Sequence, residues 1–346
     1  MNNSPIFTKQ NFTLCTVPVP QGYPQSQTHA GVARIGDRTI MVSSPFPNIR
    51  RSMLQTYFRV GLRKLSLGHL YNEKPGEYYE NPCIYINSDR NQPSKDFRLL
   101  QSRPLMEPLD PFYGLPAYNS DPDVYVEGES IYVLNRCIYR TRLTPERKRD
   151  EFDIRIFLIK GLLFDGKYKY ISTNLFKETT DLIVSPCLIR YKGNYIYTSL
   201  WTNSYNDGES FEGLRFVSGN KIEDLATDED WQDVQIDVKE WIPWHMSLFN
   251  HKDKLYSIIA CVKRGQPHRC YQMLGAFDDD LMRMTIYPTP LADMPSYRGT
   301  AYVDENGEFV LYNTTVYEKI RGGKSVDGRE IIMASMPFEK LLDTLS

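Results

Sequence analysis

No apolar run in this 346-residue chain approaches the roughly 18 residues a membrane-spanning helix needs. Charge of one sign is lacking too. The formal net charge is -2 at pH 7 and the pI is about 6.3, which leaves no electrostatic reason to expect nucleic acid or an anionic membrane as partner. The six cysteines (Cys15, Cys83, Cys137, Cys187, Cys261 and Cys270) lack metal-type CxxC spacing, and several sit inside apolar strand patterns. They read as buried free thiols, small hydrophobes in a reducing compartment. A basic start followed by an apolar stretch is missing from residues 1–12, so no secretory leader is expected there. Cytoplasm is the default, with secretion or the periplasm as the alternative if a leader has been removed. A phosphate-cradling glycine loop, HExxH and GxSxG are all absent, and no cofactor is expected.

What the chain has is aromatic residues, 13% of the total and 24 of them tyrosine, a composition that favours strands and binding surfaces. It also has a recurring unit. At residues 119–136 the polar head Asn119-Ser120-Asp121-Pro122-Asp123 leads into Val124 and Val126, a turn at Glu127-Gly128-Glu129, and then Ile131 and Val133. β-Branched residues at alternate positions on either side of a glycine turn predict a hairpin. Similar units follow His29, Ser185, His245 and Arg298, giving head-to-head separations of 92, 64, 60 and 53 residues. Outer-strand candidates such as Leu214-Arg215-Phe216-Val217, Tyr271-Gln272-Met273-Leu274 and Ile331-Ile332-Met333-Ala334 lie between them. A repeat of about 50–60 residues with four short strands apiece predicts a β-propeller blade. The expectation is therefore all-β: one five-bladed propeller of four-stranded antiparallel blades over 1–346. It carries a leading segment at 1–28, an insertion at 45–76 whose basic amphipathic part covers 50–67, and a short closing helix at 338–345.

With Asp121-Pro122-Asp123-Val124, Ser185-Pro186, Trp244-His245 and Tyr297-Arg298 each heading such a unit, the chain resembles the five-bladed propeller glycosidase superfamily of glycoside hydrolase families 32, 43, 68, 117 and 130. That resemblance runs from about residue 28 onward. It implies that the blade heads line a central site where a carbohydrate or glycan is processed. The family-43 pattern implies an Asp on the first blade, an Asp on the second and a Glu on the third. Here those positions fall at His29, Asp121 and Val184, so only the second is met.

Glycoside hydrolysis usually needs two carboxyl groups flanking the scissile bond. Asp121 and Asp123, two apart on a strand, are expected on one face, where mutual repulsion would separate their pKa values; the alternative for an Asp-Pro-Asp start is a turn cap. Glu80, heading the strand Pro82-Cys83-Ile84-Tyr85-Ile86, is the leading candidate for the missing partner, and Asp181 is a weaker one. The candidate catalytic set is thus Asp121, Glu80 and Asp123. His29, His245, Arg298, Trp244, Ser185, Asn119 and Tyr297 form the candidate sugar-binding set. Imidazoles can donate to hydroxyls or transfer protons near neutral pH, a guanidinium offers a fixed fork, and aromatic faces stack on sugar C–H surfaces. Trp201 and Tyr118 lie near the same heads and are further candidates for stacking, with packing between blades the commoner role for such rings. A calcium or other hard cation could sit in the channel if carboxylates and carbonyls converge there. Three functions stay open at this point: a glycan-processing hydrolase, a binding propeller that has lost its acid, and a protein-interaction platform.

Overall fold

A computed structural model describes residues 4–21, 26–45, 80–87, 93–106, 118–140, 152–203, 210–226, 230–238, 240–266, 269–321 and 324–345. The insertion expected at 45–76 lies outside these residues, apart from Pro45 at the end of a strand.

The described chain is mostly β, in antiparallel meanders of the predicted kind. The first meander is β2 (Gln27–Ile35), β3 (Arg38–Pro45), β4 (Cys83–Asn87) and β5 (Phe97–Leu99). The second is β6 (Tyr118–Glu127), β7 (Ser130–Arg140), β8 (Phe152–Phe164) and β9 (Lys167–Thr179). Two more, β10 (Ile183–Tyr191), β11 (Asn194–Thr202), β12 (Phe211–Gly219), β13 (Gln232–Ile236) and then β14 (Trp241–His251), β15 (Lys254–Lys263), β16 (Cys270–Phe277), β17 (Arg283–Ile286), share one eight-stranded sheet. Among the described residues, a short parallel pairing of β13 with β17 joins them. The last sheet holds β18 (Ser296–Val303), β19 (Glu308–Arg321) and β20 (Lys324–Pro337), with β1 (Thr13–Leu14) as its fourth strand. The segment at 1–28 thus has a part that its weak pattern did not disclose: Thr13 and Leu14 pair with Met333 and Ile332, fastening the start of the chain to its end.

The first strands of the meanders make a closed ring. β2 packs on β6, β6 on β10, β10 on β14, β14 on β18, and β18 on β2. Alternation explains how each strand serves two neighbours, because successive side chains leave opposite faces. In β7, Ile131, Val133 and Cys137 enter a cluster shared with Ile40, Val42 and Ile84, whereas Leu134 and Ile138 enter another shared with Leu188 and Tyr197. β15 divides likewise, with Leu255, Ile259 and Cys261 on one side and Tyr256 and Ile258 on the other. Strands buried on both faces need apolar residues in both registers, which is why these runs are nearly continuous. Five of the six cysteines are buried, four of them (Cys83, Cys137, Cys187 and Cys261) within such strands, and all six are free.

Every first strand carries the same defect near its head. The pairing register breaks between Thr28 and Gly31, Ser120 and Asp123, Val184 and Cys187, Pro243 and His245, and Ser296 and Gly299. His29, Asp121 and Ser185 take left-handed φ values of 53°, 49° and 52° there. Such a conformation costs a non-glycine residue on the order of 1–3 kcal/mol and persists where its surroundings over-determine it. A bulge re-aims the side chain it carries. Gly31, just past its bulge, permits the close approach of the next first strand: a Cβ there would lie 3.3 Å from Asp123 Cα and Pro122 O.

The helix expected at the end is present as α1 (Phe338–Leu345), immediately after Pro337. Phe338, Leu341 and Leu345 are buried. The Phe338 ring meets Phe249, Tyr256 and Phe309 at centroid distances of 5.9, 5.0 and 5.7 Å. Replacing Phe338 with Ala should destabilise the protein by about 3–5 kcal/mol, read by chemical denaturation. A change below about 1 kcal/mol would mean that the helix does not anchor this sheet.

Candidate functional site

The bulges bring the predicted heads together around one buried carboxylate. Asp121 has no exposed surface. Its Oδ1 lies 2.6 Å from His29 Nδ1 and 3.5 Å from His245 Nδ1. Its Oδ2 lies 2.8 Å from Arg136 Nη2 and accepts the Ser185 backbone N–H at 3.2 Å. On the far side of the imidazole, His29 Nε2 is 3.0 Å from Glu80 Oε2, so one histidine joins the two leading acids. Glu80 keeps 15% of its side-chain surface exposed and is the part of this group that reaches solvent.

Electrostatics assigns these groups different states. Burial opposes charge on Asp121, but Arg136, with His29, outweighs it and holds the carboxyl well below its ordinary range. Burial also opposes protonation of His29; Asp121 and Glu80 prevail and raise its pKa above 6.5. For His245 the balance reverses, because burial, with the positive charges of His29, Arg298 and Arg136, outweighs Asp121 and keeps the ring neutral. The two imidazoles are thus biased in opposite directions, His29 toward the protonated ring and His245 toward the neutral one. A protonated ring can give a proton and a neutral ring can take one.

The Tyr297 ring meets both imidazoles, edge-on to His29 at a centroid distance of 5.0 Å and tilted against His245 at 4.8 Å. The Arg329 guanidinium lies 4.1 Å over the Tyr297 ring and donates to Thr28 Oγ1 at 2.8 Å. Trp244 meets His245 at 5.7 Å. Ser185 Oγ faces His245 Nδ1 at 3.1 Å and accepts the Met246 N–H at 3.1 Å.

Several expectations are corrected here. Asp121 and Asp123 do not share a face, because the register breaks between Ser120 and Asp123 and turns them apart. Asp123 has its own partners, the Leu188 N–H at 3.3 Å and Arg298 Nη2 at 3.4 Å. Its pKa is raised to about 6 by burial, against Arg298, and repulsion from Asp121 is not the cause. Arg298 does not present a fork to a ligand: it is fully buried, and Nη1 donates to Pro122 O at 2.9 Å, bracing β18 against β6. Asn119 is a buried link, donating to Asn81 Oδ1 and accepting from Asn135 Nδ2, each at 2.9 Å. Val184 stands in an apolar cluster, so the third-unit acid position belongs to the core. Asp181 is exposed in a local turn with Thr179. Trp201 packs on Trp231 at 5.8 Å and under Arg215 at 4.0 Å. The Tyr118 side chain lies outside the described residues.

Arg136 is the important residue that the sequence reading left out of the site. Besides Asp121 it donates to Ile183 O at 2.6 Å and Ser120 Oγ at 3.2 Å. A signal was available: an arginine inside the run Val133-Leu134-Asn135-Arg136-Cys137-Ile138 must be buried, and a buried guanidinium needs a carboxylate.

His29, Asp121 and His245 each offer one ligating atom within 4.8 Å of the others, a spacing that suits a single metal ion. His245 Nε2 is buried with no hydrogen-bond partner among the described residues. Two imidazoles and one carboxylate suit a transition-type divalent cation such as zinc better than calcium, which prefers an all-oxygen shell. Binding would displace the proton of His29.

No protein-family model matches the sequence, and no curated protein matches it. Solved structures do. An N-acetylgalactosamine deacetylase from F. plautii, in complex with blood group B trisaccharide, is similar at 14% identity with a TM-score of 0.65, covering 95% of this chain and 97% of that one. A GH43_1 enzyme from Xanthomonas citri is similar at 11% identity and a TM-score of 0.55, covering 92% and 90%. Zg3597, a family 117 glycoside hydrolase from Zobellia galactanivorans, is similar at 10% and 0.55, covering 94% and 90%. The chain shares the fold of these three structures. At these identities the likeness is one of fold.

The state of His29 can be tested apart from any reaction. In chelator-treated protein its raised pKa makes a stability contribution that is complete below about pH 6.5 and lost as pH rises through the folded-state value. His29→Gln should therefore destabilise more at pH 6 than at pH 9 in thermal melts with EDTA. An equal difference at both pH values would contradict the imidazolium.

Proposed function

We propose that the protein is a five-bladed β-propeller over its whole length and a glycan-processing hydrolase, with a carbohydrate bound at the ring axis and water activated by the Asp121 cage. The observation that carries this reading is His29, which joins Asp121 and Glu80 where the blade heads converge. Three unpaired heads would have left a plain structural channel. Here the strained backbone at His29 and Asp121, a buried anion and two imidazoles in opposite protonation states stand together, as reaction centres require and packing alone does not.

Asp121, gripped by Arg136, His29 and the Ser185 amide, acts as a fixed anion that orients both imidazoles, and it is poorly suited to deliver a proton or attack carbon. Glu80, at the solvent end, and the two histidines supply proton transfer. Tyr297 and Trp244 form the aromatic wall against which a sugar face would rest. Asp121→Asn should lower turnover of the responsive glycan by at least about 100-fold when assayed well below the variant's melting temperature, which should itself fall because Arg136 and His29 lose their counter-charge. Undiminished turnover in that variant would remove Asp121 from the chemistry.

A second reading concerns the bond. The three-ligand group of His29, Asp121 and His245 favours cation-assisted removal of an acyl substituent from a sugar over cleavage by a carboxyl pair. A deacetylase of an acetylated amino sugar among the similar folds makes the same suggestion. A bound divalent cation would supply Lewis acidity and a more acidic water there. The expected result is acetate release from an acetylated amino sugar, abolished by EDTA and restored by a divalent metal. Release of a free sugar in the presence of EDTA would favour glycosidic cleavage instead.

A further inference from the structure

Away from the axis, one gap between meanders has a floor. The outermost strands β13 and β17 pair in parallel at two positions, Gln235 with Arg283 and Ile236 with Met284, and join the third and fourth meanders into one sheet. Beyond Ile236 and Ile286 both strands end, and the space between them opens as a groove of about 670 Å³. That volume is within the usual range for small-molecule sites, roughly 300–1,000 Å³.

The groove has a built lining. Buried Met284 with half-buried Ile236 and Ile286 forms its base, and Trp241 forms a wall. Trp241 is held by Tyr271, edge-on at 5.8 Å, and by the Lys263 ammonium, 5.6 Å from the ring centroid and itself paired with Glu240 at 2.8 Å. On the rim, Arg283 donates to Gln235 Oε1 at 3.2 Å. Asp237, Glu240, Gln235, Arg283 and Thr285 thus offer donors and acceptors together, with Glu240 matched by Lys263. An indole wall, an apolar base and a charge-balanced rim fit a ligand that is apolar on its ring face, rich in hydroxyls at its edge and without net charge.

Position supports the same ligand. Trp241 begins β14, four residues ahead of His245. At about 3.3 Å per residue, four residues span no more than about 13 Å of backbone between Trp241 and His245, and the bulge between Pro243 and His245 shortens it. A polymer reaching the axis would pass close to it.

We propose that this groove is a second carbohydrate site, which holds an uncharged stretch of a polysaccharide remote from the reaction centre and keeps the polymer on the protein. The inference rests on the glycan-processing reading for the identity of the polymer, but its test does not depend on turnover. Affinity electrophoresis of the full chain in native gels containing soluble neutral polysaccharides (arabinoxylan, galactan, mannan or mixed-linkage glucan) reads retention directly. At least one of these should retard the wild type, and Asp121→Asn should be retarded equally. Trp241→Ala should weaken retardation roughly tenfold, as loss of the stacking wall requires. Thr285→Trp, an exposed rim substitution that fills the groove, should do the same should Trp241→Ala lose its fold. Turnover of a small soluble substrate should be unchanged by Thr285→Trp. The inference is overturned if no polysaccharide retards the wild type, if both groove variants are retarded normally, or if retardation is lost with Asp121→Asn. Absence of turnover with normal retardation would fault only the proposed reaction.

Discussion

Everything near the axis depends on one buried anion. Asp121 sits at zero exposure, where an unpaired carboxylate would be prohibitively expensive, so the ring has to bring it compensating charge. Arg136 comes from the neighbouring strand of its own hairpin, His29 from β2, His245 from β14 and the Ser185 amide from β10. Four of the five first strands are thereby tied to one side chain's neighbourhood. The fifth, β18, reaches it indirectly through Arg298, which grips Pro122 O and Asp123.

The same arrangement explains the strain. Neighbouring first strands are pinned to each other by polar contacts: His29 to Asp121, Leu188 N–H to Asp123, Met246 N–H to Ser185 Oγ, Ser247 Oγ–H to Gly299 O, and Val32 N–H to Thr300 Oγ1. A ring so pinned cannot relax one head without disturbing the next. That holds His29, Asp121 and Ser185 in left-handed backbone and fixes two chemically identical rings in opposite states. Their difference is set by position. His29 lies between two carboxylates, whereas His245 faces one carboxylate and several cations.

The polar cage and the architecture are therefore not separable here. A residue such as Arg298 can stand at the head of a first strand, in register with the residues of the cage, and brace one first strand against another. Glu80, by contrast, heads a third strand and reaches the cage from beside it. Strand order gives the height of a residue in the ring; the partners available to it decide what it does.

The repeating unit, its turns at Gly36, Gly128 and Gly193, the terminal helix and the convergence of His29, Asp121 and His245 were legible in the sequence. They rest on local period, on turn residues that tolerate positive φ and on equivalence between repeats. Glu80 was legible as a candidate because an acid before Pro82 heads an apolar strand. The separation of Asp121 from Asp123, the inward turn of Arg298, the grip of Arg136 on Asp121, the pairing of β1 with β20 and the floor under the Trp241 groove were decided by the tertiary structure. The reason is physical. A bulge changes which way a side chain points without changing the alternation of residue types around it. Where a buried charge finds its partner depends on strands far apart in the chain, and no local pattern records that.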